Sequence, residues 1–260
     1  MVLLKRIKIV FFNREMLKNL IKKNLRSYYV NSLLGISWAI IIPLILMFVL
    51  SFIFQNILKI EIENFPLYVL SGLIPFMFFA SSLTQAANSL VENIYLLRQF
   101  NLPKEIIPLS IIITNFLNFL LGFLVLIPIF VLSNPRILLS LSFLFFIIPI
   151  FSIFVMGISL FFSALNVFFR DLSHLLGVLI MFFFWITPIF YKEEMIPTQY
   201  RWIIDFNPLS IYINLFRNIL LNGRVREFKF ISFSLLWAGL FFFIGYYFFL
   251  RTESNFLKRI

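Results

Sequence analysis

Long apolar runs without internal charge decide which solvent this chain folds in. Five of them, approximately Leu33–Ile57, Phe65–Ala87, Ile106–Leu132, Leu141–Val167 and Phe230–Leu250, each supply the roughly 20 mainly apolar residues that a bilayer crossing needs. A sixth, approximately His174–Tyr191, sits near the lower limit and holds no charge beyond its terminal histidine. Hydrophobic residues make up 62% of the 260 and charged residues only 13%, where a soluble domain carries about 25% charged residues. So much apolar surface has no place in the core of a chain this size, and lipid must take it up. The expectation is an all-α polytopic membrane protein with six transmembrane helices. One membrane domain fills 33–260, and 1–32 precede it on the cytoplasmic side.

Placement of Lys and Arg predicts the orientation. Residues 1–32 carry eight of the 22, and Arg98, Lys104, Arg170, Arg251, Lys258 and Arg259 fall in the other segments on the same side. On the opposite side Glu61 and Glu63, and then Glu193, Glu194, Asp205 and Glu227, dilute the positive charge. Cytoplasmic loops collect Lys and Arg, so the amino terminus lies inside and an even number of crossings returns the carboxyl terminus there. The net charge of +11 thus belongs to the membrane surface, not to nucleic acid. No cysteine is present, which excludes disulfides and thiolate metal sites. The first residues are basic and interrupted by charge, unlike a cleaved signal peptide.

Two flanking pieces are too short or too charged to span. Residues 3–25 put Leu3, Leu4, Ile7, Val10, Phe11, Leu17, Leu20 and Ile21 at helical spacing, with lysines on other faces. This reads as an amphipathic interface helix attracted to anionic lipid; an unstructured basic tail is the alternative. Between Lys192 and Lys229, the apolar segments Tyr200–Phe206 and Leu209–Leu221 flank Asn207-Pro208, and a proline disfavours helix for the residue before it. They form either a re-entrant hairpin in the outer leaflet or two helices in the headgroup layer.

Chemistry is nearly absent. Burying an ionisable group in a span is costly unless it works, and the interiors of the predicted spans hold neither acid nor base. His174 is the one histidine and lies at a span boundary. No cluster has metal-ligand spacing, and no glycine belongs to a phosphate-cradling G-x-x-x-x-G-K-[ST] loop. Uncharged polar residues do recur on helix faces: Ser110, Thr114, Asn118 and Gly122; Ser152, Ser159, Ser163 and Asn166; Ser71, Ser82, Gln85 and Ser89. Such stripes serve close helix packing or line a conduit for hydroxyl-rich cargo. Trp38, Tyr68, Trp185, Tyr191 and Trp202 lie near the predicted membrane boundaries. They are either interfacial anchors or rings that stack on sugars. In the loop Val91–Glu105, Ile94, Leu97 and Leu102 alternate with polar residues including Arg98. A short amphipathic helix there suits docking on a cytoplasmic partner or lies on the membrane.

Five segments occur together in one order. They are Arg26-Ser-Tyr-Tyr-Val-Asn-Ser-Leu-Leu-Gly-Ile-Ser-Trp38 running on to Pro43, Leu102-Pro-Lys-Glu-Ile-Ile-Pro-Leu-Ser110, Phe169-Arg170-Asp171-Leu172, Thr187-Pro188-Ile189-Phe190-Tyr191, and Asn207-Pro208-Leu209. In this respect the chain resembles the permeases of type-2 ABC exporters that move O-antigen, capsule and teichoic acid. The resemblance implies a homodimer in the bacterial inner membrane, paired with a separate nucleotide-binding ATPase subunit that holds ATP and Mg. It implies no cofactor or covalent chemistry in this chain. The cargo would be a lipid-linked polysaccharide threaded through a channel between protomers. Ile94, Leu97, Arg98 and Leu102, with Arg170 and Asp171, would receive the ATPase motion. Tyr28, Trp38, Tyr68, Trp185, Tyr191, Trp202, Asn207 and Pro208 are the candidates for channel or gate. A permease for a drug or small lipid is the nearest alternative, and a membrane glycosyltransferase the one from another class.

Overall fold

In the computed structural model, residues 6, 9, 12–29, 34–99, 102–224 and 228–259 are described, the side chains of Tyr28, Tyr29, Ile36 and Phe228 excepted. All their regular elements are helices. In order these are α1 (Arg14–Tyr29), α2 (Trp38–Ser51, closing in a π-helical turn Phe52–Ile57), α3 (Phe65–Glu92), α4 (Ile94–Gln99) and α5 (Ile106–Ser133). A short α6 (Ile137–Ser140) runs through a 3-10 turn into α7 (Leu144–Phe168), and α8 (Leu172–Ile186) follows. The chain ends with α9 (Trp202–Asp205), α10 (Pro208–Arg217, with a π-helical turn Asn218–Asn222), α11 (Phe228–Thr252) and α12 (Phe256–Arg259). The start of the first predicted span, Leu33, and most of residues 1–11 lie outside the described residues.

Among the described residues, five helical stretches are long and apolar enough to cross a membrane: Trp38–Ile57, Phe65–Glu92, Ile106–Ser133, Ile137–Phe168 and Lys229–Arg259. The sixth predicted run stops early. Thr187 precedes Pro188 and adopts extended backbone, φ −83° and ψ 135°, as the proline ring demands. The 15 residues of α8 rise only about 22 Å, against a hydrocarbon core of about 30 Å. Ile189 and Phe190 beyond the break are nevertheless buried.

The bundle is built around α3. In its apolar stretch 72% of residues are buried within the protein, against 17–33% in the other four. Helices α2, α5, α7, α8 and α10 all pack on it. Stacked and edge-on rings fill the contacts, with Phe78 against Phe119 at 4.9 Å and Phe151 against Tyr212 at 5.0 Å. The outer helices turn large apolar side chains such as Phe48, Leu124, Phe145, Val178 and Leu236 outward, as chains solvated by hydrocarbon do.

Two ends can be distinguished. At the near end lie α4, the α7–α8 turn and α12, whose Phe256 packs with Leu97 of α4 and Val167 of α7. Helix α1 packs on α5, with Leu20 buried, Asn24 Nδ2 donating to Ser110 Oγ at 3.2 Å, and Lys18, Lys22 and Lys23 exposed. The far end holds the start of α3 and the end of α8. Helix α10 also begins and ends there, yet Leu209 to Arg217 are all buried, so this ten-residue helix is packed into the bundle against α3, α7 and α11.

Helices α7 and α11 make the closest approach. A Cβ placed on Gly157 would meet the backbone of Phe241 and Phe242, and one on Gly245 would meet the backbone of Gly157. Small residues permit such approach where lipid offers no hydrophobic drive. Gly239, also on α11, has nothing within 4 Å of its would-be Cβ. Gly245→Ala and Gly157→Ala should each cost about 1–3 kcal/mol through overpacking, read as a lower midpoint in detergent thermal unfolding. Gly239→Ala should be neutral or stabilising; equal effects at all three positions would contradict the packing.

Candidate functional site

Ionisable side chains are costly to bury in hydrocarbon, and two buried ones mark the two ends of the bundle. Among the described residues these are Glu105 and Arg217, and neither lies within the five long apolar helices.

At the far end Arg217, the last residue of α10, is 6% exposed. Its guanidinium sits 3.7 Å from the centroid of the Tyr68 ring. Nη2 donates to the Ile189 carbonyl at 3.0 Å and Nη1 to Asn214 Oδ1 at 3.4 Å. Asn214 donates in turn to the Glu193 carboxylate. A planar guanidinium stacks well on an aromatic face, so a ring, a carbonyl and an amide share the charge. Around it, Tyr68 donates its hydroxyl to Tyr191 O at 2.8 Å, and Tyr191 donates to Ile186 O at 2.7 Å. Asn207 donates to Thr187 Oγ1 at 2.9 Å, while its own oxygen accepts from Leu209 N at 3.0 Å. That is an N-cap, followed by proline at the first helical position. The network ties the start of α3, residues 187–193 and both ends of α10 into one unit.

At mid-depth a cavity of about 220 Å³ opens between α2, α3 and α5, with Trp38, Ser81, Gln85, Asn115, Asn118 and Gly122 on its wall. Asn115 Nδ2 donates to Gln85 Oε1 at 2.9 Å. An amide presents both donors and an acceptor, so this wall can pair with neutral hydroxyls. The serine and threonine stripes behave differently. Ser71, Ser89, Ser110 and Thr114 donate to carbonyls of their own helices at 2.6–2.7 Å. They permit close packing and contribute little to a surface. Asn166 bridges α7 to α3 through Ala87 O and Asn88 Oδ1, each at 3.1 Å.

At the near end Leu97 of α4 is 5% exposed, buried with Leu90, Ile107 and Phe256. Ile94 and Leu102 are half-buried. Helix α4 therefore turns its apolar face into its own bundle and leaves Tyr95, 81% exposed, and Arg98 outside. Arg170 and Asp171 are exposed in the α7–α8 turn at the same end. Beside α4, Glu105 at the start of α5 has no exposed surface. Arg6 Nη1 lies 3.6 Å from it, and Arg6 also donates to Glu253. Lys104 Nζ donates to the Glu253 carbonyl. Three distant segments thereby meet in one charge cluster. Burial pushes the Glu105 carboxyl above the usual range, its own backbone amide and Arg6 offsetting this in part, and burial lowers Lys104.

Residues 15–221 match the family model described as ABC-2 type transporter. The chain belongs to the ABC-2 type transporter family. Two relatives named O-antigen export system permease protein RfbA, both from Klebsiella pneumoniae, are 36% and 34% identical to it. The first alignment covers 84% of either chain and the second 82%. A protein of the same name from Myxococcus xanthus is 25% identical over 87% of this chain and 90% of its own length. With its long apolar helices, this ABC-2 family member is a multi-pass membrane protein.

The residues singled out by sequence divide sharply within this ABC-2 fold. Tyr68, Tyr191 and Asn207 converge on the far-end network, and Pro208 starts α10. Trp38, Trp185 and Trp202 are 40%, 52% and 59% exposed, Trp38 edging the mid-depth cavity. The Tyr28 side chain lies outside the described residues. Sequence reasoning missed Arg217, Asn115, Tyr95 and Glu105. A lone arginine within the apolar run Leu209–Leu221 was the visible signal for the first. A tyrosine interrupting the apolar Ile94-Tyr-Leu-Leu97 run was the signal for Tyr95.

The raised Glu105 carboxyl has a measurable consequence. As pH climbs past the ordinary glutamate range, the unfolded chain releases this proton before the folded one does. Stability therefore falls with rising pH until the raised value is passed. Glu105→Gln should lose that slope in detergent thermal unfolding across mildly acidic to neutral pH. An identical slope in the variant and the parent would contradict the assignment.

Proposed function

We propose that the chain is the transmembrane subunit of an ATP-driven exporter that moves lipid-linked, O-antigen-like polysaccharide across the bacterial inner membrane. The observation that carries this reading is the 36% identity, across 84% of the chain, to a protein named as an O-antigen export permease. Three amides on the mainly apolar mid-depth wall support it, since Gln85, Asn115 and Asn118 carry neutral donors and acceptors of the kind a sugar chain pairs with. The absence of a phosphate-cradling motif in the sequence agrees with ATP and Mg binding in a separate nucleotide-binding subunit.

In this reading both termini and the near end are cytoplasmic, as the distribution of Lys and Arg favours. Helix α8 and its buried continuation through Tyr191 supply a sixth crossing. Helix α1 lies along the inner membrane surface, its exposed lysines toward anionic lipid. Helices α9 and α10 form a re-entrant outer hairpin, which the far-end placement of both α10 termini supports. Two copies pair to form the channel. The large exposed apolar faces of α2 and α8, which flank α3, are the surfaces available for pairing.

Coupling falls to the exposed residues of the near end. Tyr95 and Arg98 of α4, with Arg170 and Asp171, would meet the ATPase, while Leu97 transmits its motion into the bundle beneath. Purification of the tagged chain from native membranes should recover a nucleotide-binding subunit with ATP hydrolysis. The paired substitution Tyr95→Glu and Arg98→Glu should remove most surface glycan while ATP hydrolysis and chain abundance persist. A chain that elutes alone and delivers glycan without ATP sinks the exporter reading; normal export by the double variant removes the coupling surface.

A further inference from the structure

A second and larger cavity, about 580 Å³, opens at the far end beside Arg217. Its volume lies within the range of small-ligand sites, roughly 300–1,000 Å³, but its wall is unlike theirs. Polar atoms predominate, and five amides are among the residues that supply them: Asn64, Asn134, Asn214, Asn218 and Asn222. Such groups donate and accept at once, which matches hydroxyls that also do both. Charges on the wall come close to balance, with Lys192 and Arg217 against Glu63, Glu193 and Glu194. A phosphate or polyanion would face three carboxylates there, whereas a neutral polar molecule meets no net repulsion. Arg217 is nine-tenths buried and its Nε has no hydrogen-bond partner. An unpaired buried donor is costly; this Nε is itself out of reach of solvent, so a ligand oxygen pairs with it only if the Arg217 side chain shifts.

We propose that this cavity is a carbohydrate subsite, holding one or two neutral sugar residues at the outer mouth of each protomer. It is lined by residues of one chain and lies at the opposite end of the bundle from α4 and the α7–α8 turn. Its ligand identity rests on the exporter reading; its location rests on the cavity alone. A sugar seated there would contact α10 through Arg217 and α3 through Tyr68. Occupancy is thereby linked to the network that fixes the α9–α10 segment.

Saturation-transfer NMR on the full-length chain in lipid nanodiscs tests this, with methyl mannoside, methyl galactoside and methyl N-acetylglucosaminide as neutral probes and inorganic pyrophosphate as the anionic one. At least one neutral glycoside should receive saturation. Ser133→Trp, which fills the mouth from an exposed position at the end of α5, and Asn222→Leu, at the exposed end of the π-helical turn, should each weaken binding at least tenfold, about 1.4 kcal/mol. Both positions are on the rim, so unchanged thermal midpoints show that folding is intact. No transfer to any neutral glycoside, transfer undiminished in both variants, or displacement of the glycoside by pyrophosphate overturns the proposal. Glycan export that continues in cells while no glycoside binds removes the subsite and leaves the exporter standing. Glycoside binding at this cavity in a chain whose deletion leaves surface glycan unchanged does the reverse.

Discussion

Helix α3 is the element that protein encloses, and the remainder of the bundle is arranged to enclose it. In hydrocarbon, apolar side chains gain little by leaving lipid for one another, so helices associate by packing and polar contacts. Five neighbours around one helix provide both. Phenylalanine rings interlock along α3, and Asn115 and Asn166 reach toward it from α5 and α7. Helix α10 depends on the same arrangement. Ten residues cannot cross a bilayer, and a short helix becomes acceptable in the membrane only when protein surrounds it. Burial from Leu209 through Arg217 supplies that surrounding.

Charge is confined to the two ends, and each end handles it differently. At the far end one guanidinium is buried and partnered by a ring, a carbonyl and an amide, which fixes geometry without a direct ion pair. At the near end opposite charges from residues before α1, the start of α5 and the end of α11 are brought together. Between the ends, the described side chains include the neutral amides Gln85, Asn115 and Asn118.

Much of this was legible in the sequence because hydrocarbon imposes a simple rule. Five apolar runs became five long helices with ends shifted by a few residues, and Asn207-Pro208 marked the start of α10. The sixth run was misjudged in length because apolar Ile189 and Phe190 continue past Pro188, where the helix cannot. Leu97 has the same pattern whether an amphipathic turn faces inward or outward, so sequence could not say that it would be buried. Glu105 looked like an ordinary loop charge beside Lys104. Its burial depends on Arg6 and Glu253, residues far away in the chain, and no local pattern carries that information. Arg217 is different: an isolated charge in the apolar stretch Leu209–Leu221 is a local signal that the sequence does carry.

Lipid bathes the outer helices, while protein surrounds most of α3. Photolabelling the chain in membranes with a small lipid-soluble diazirine, followed by peptide mass spectrometry, reads this directly. Label should concentrate on Leu124, Phe145 and Leu236 and be nearly absent from Leu70, Leu73 and Phe79 along α3. Equal labelling of α3 and the outer helices would contradict the account.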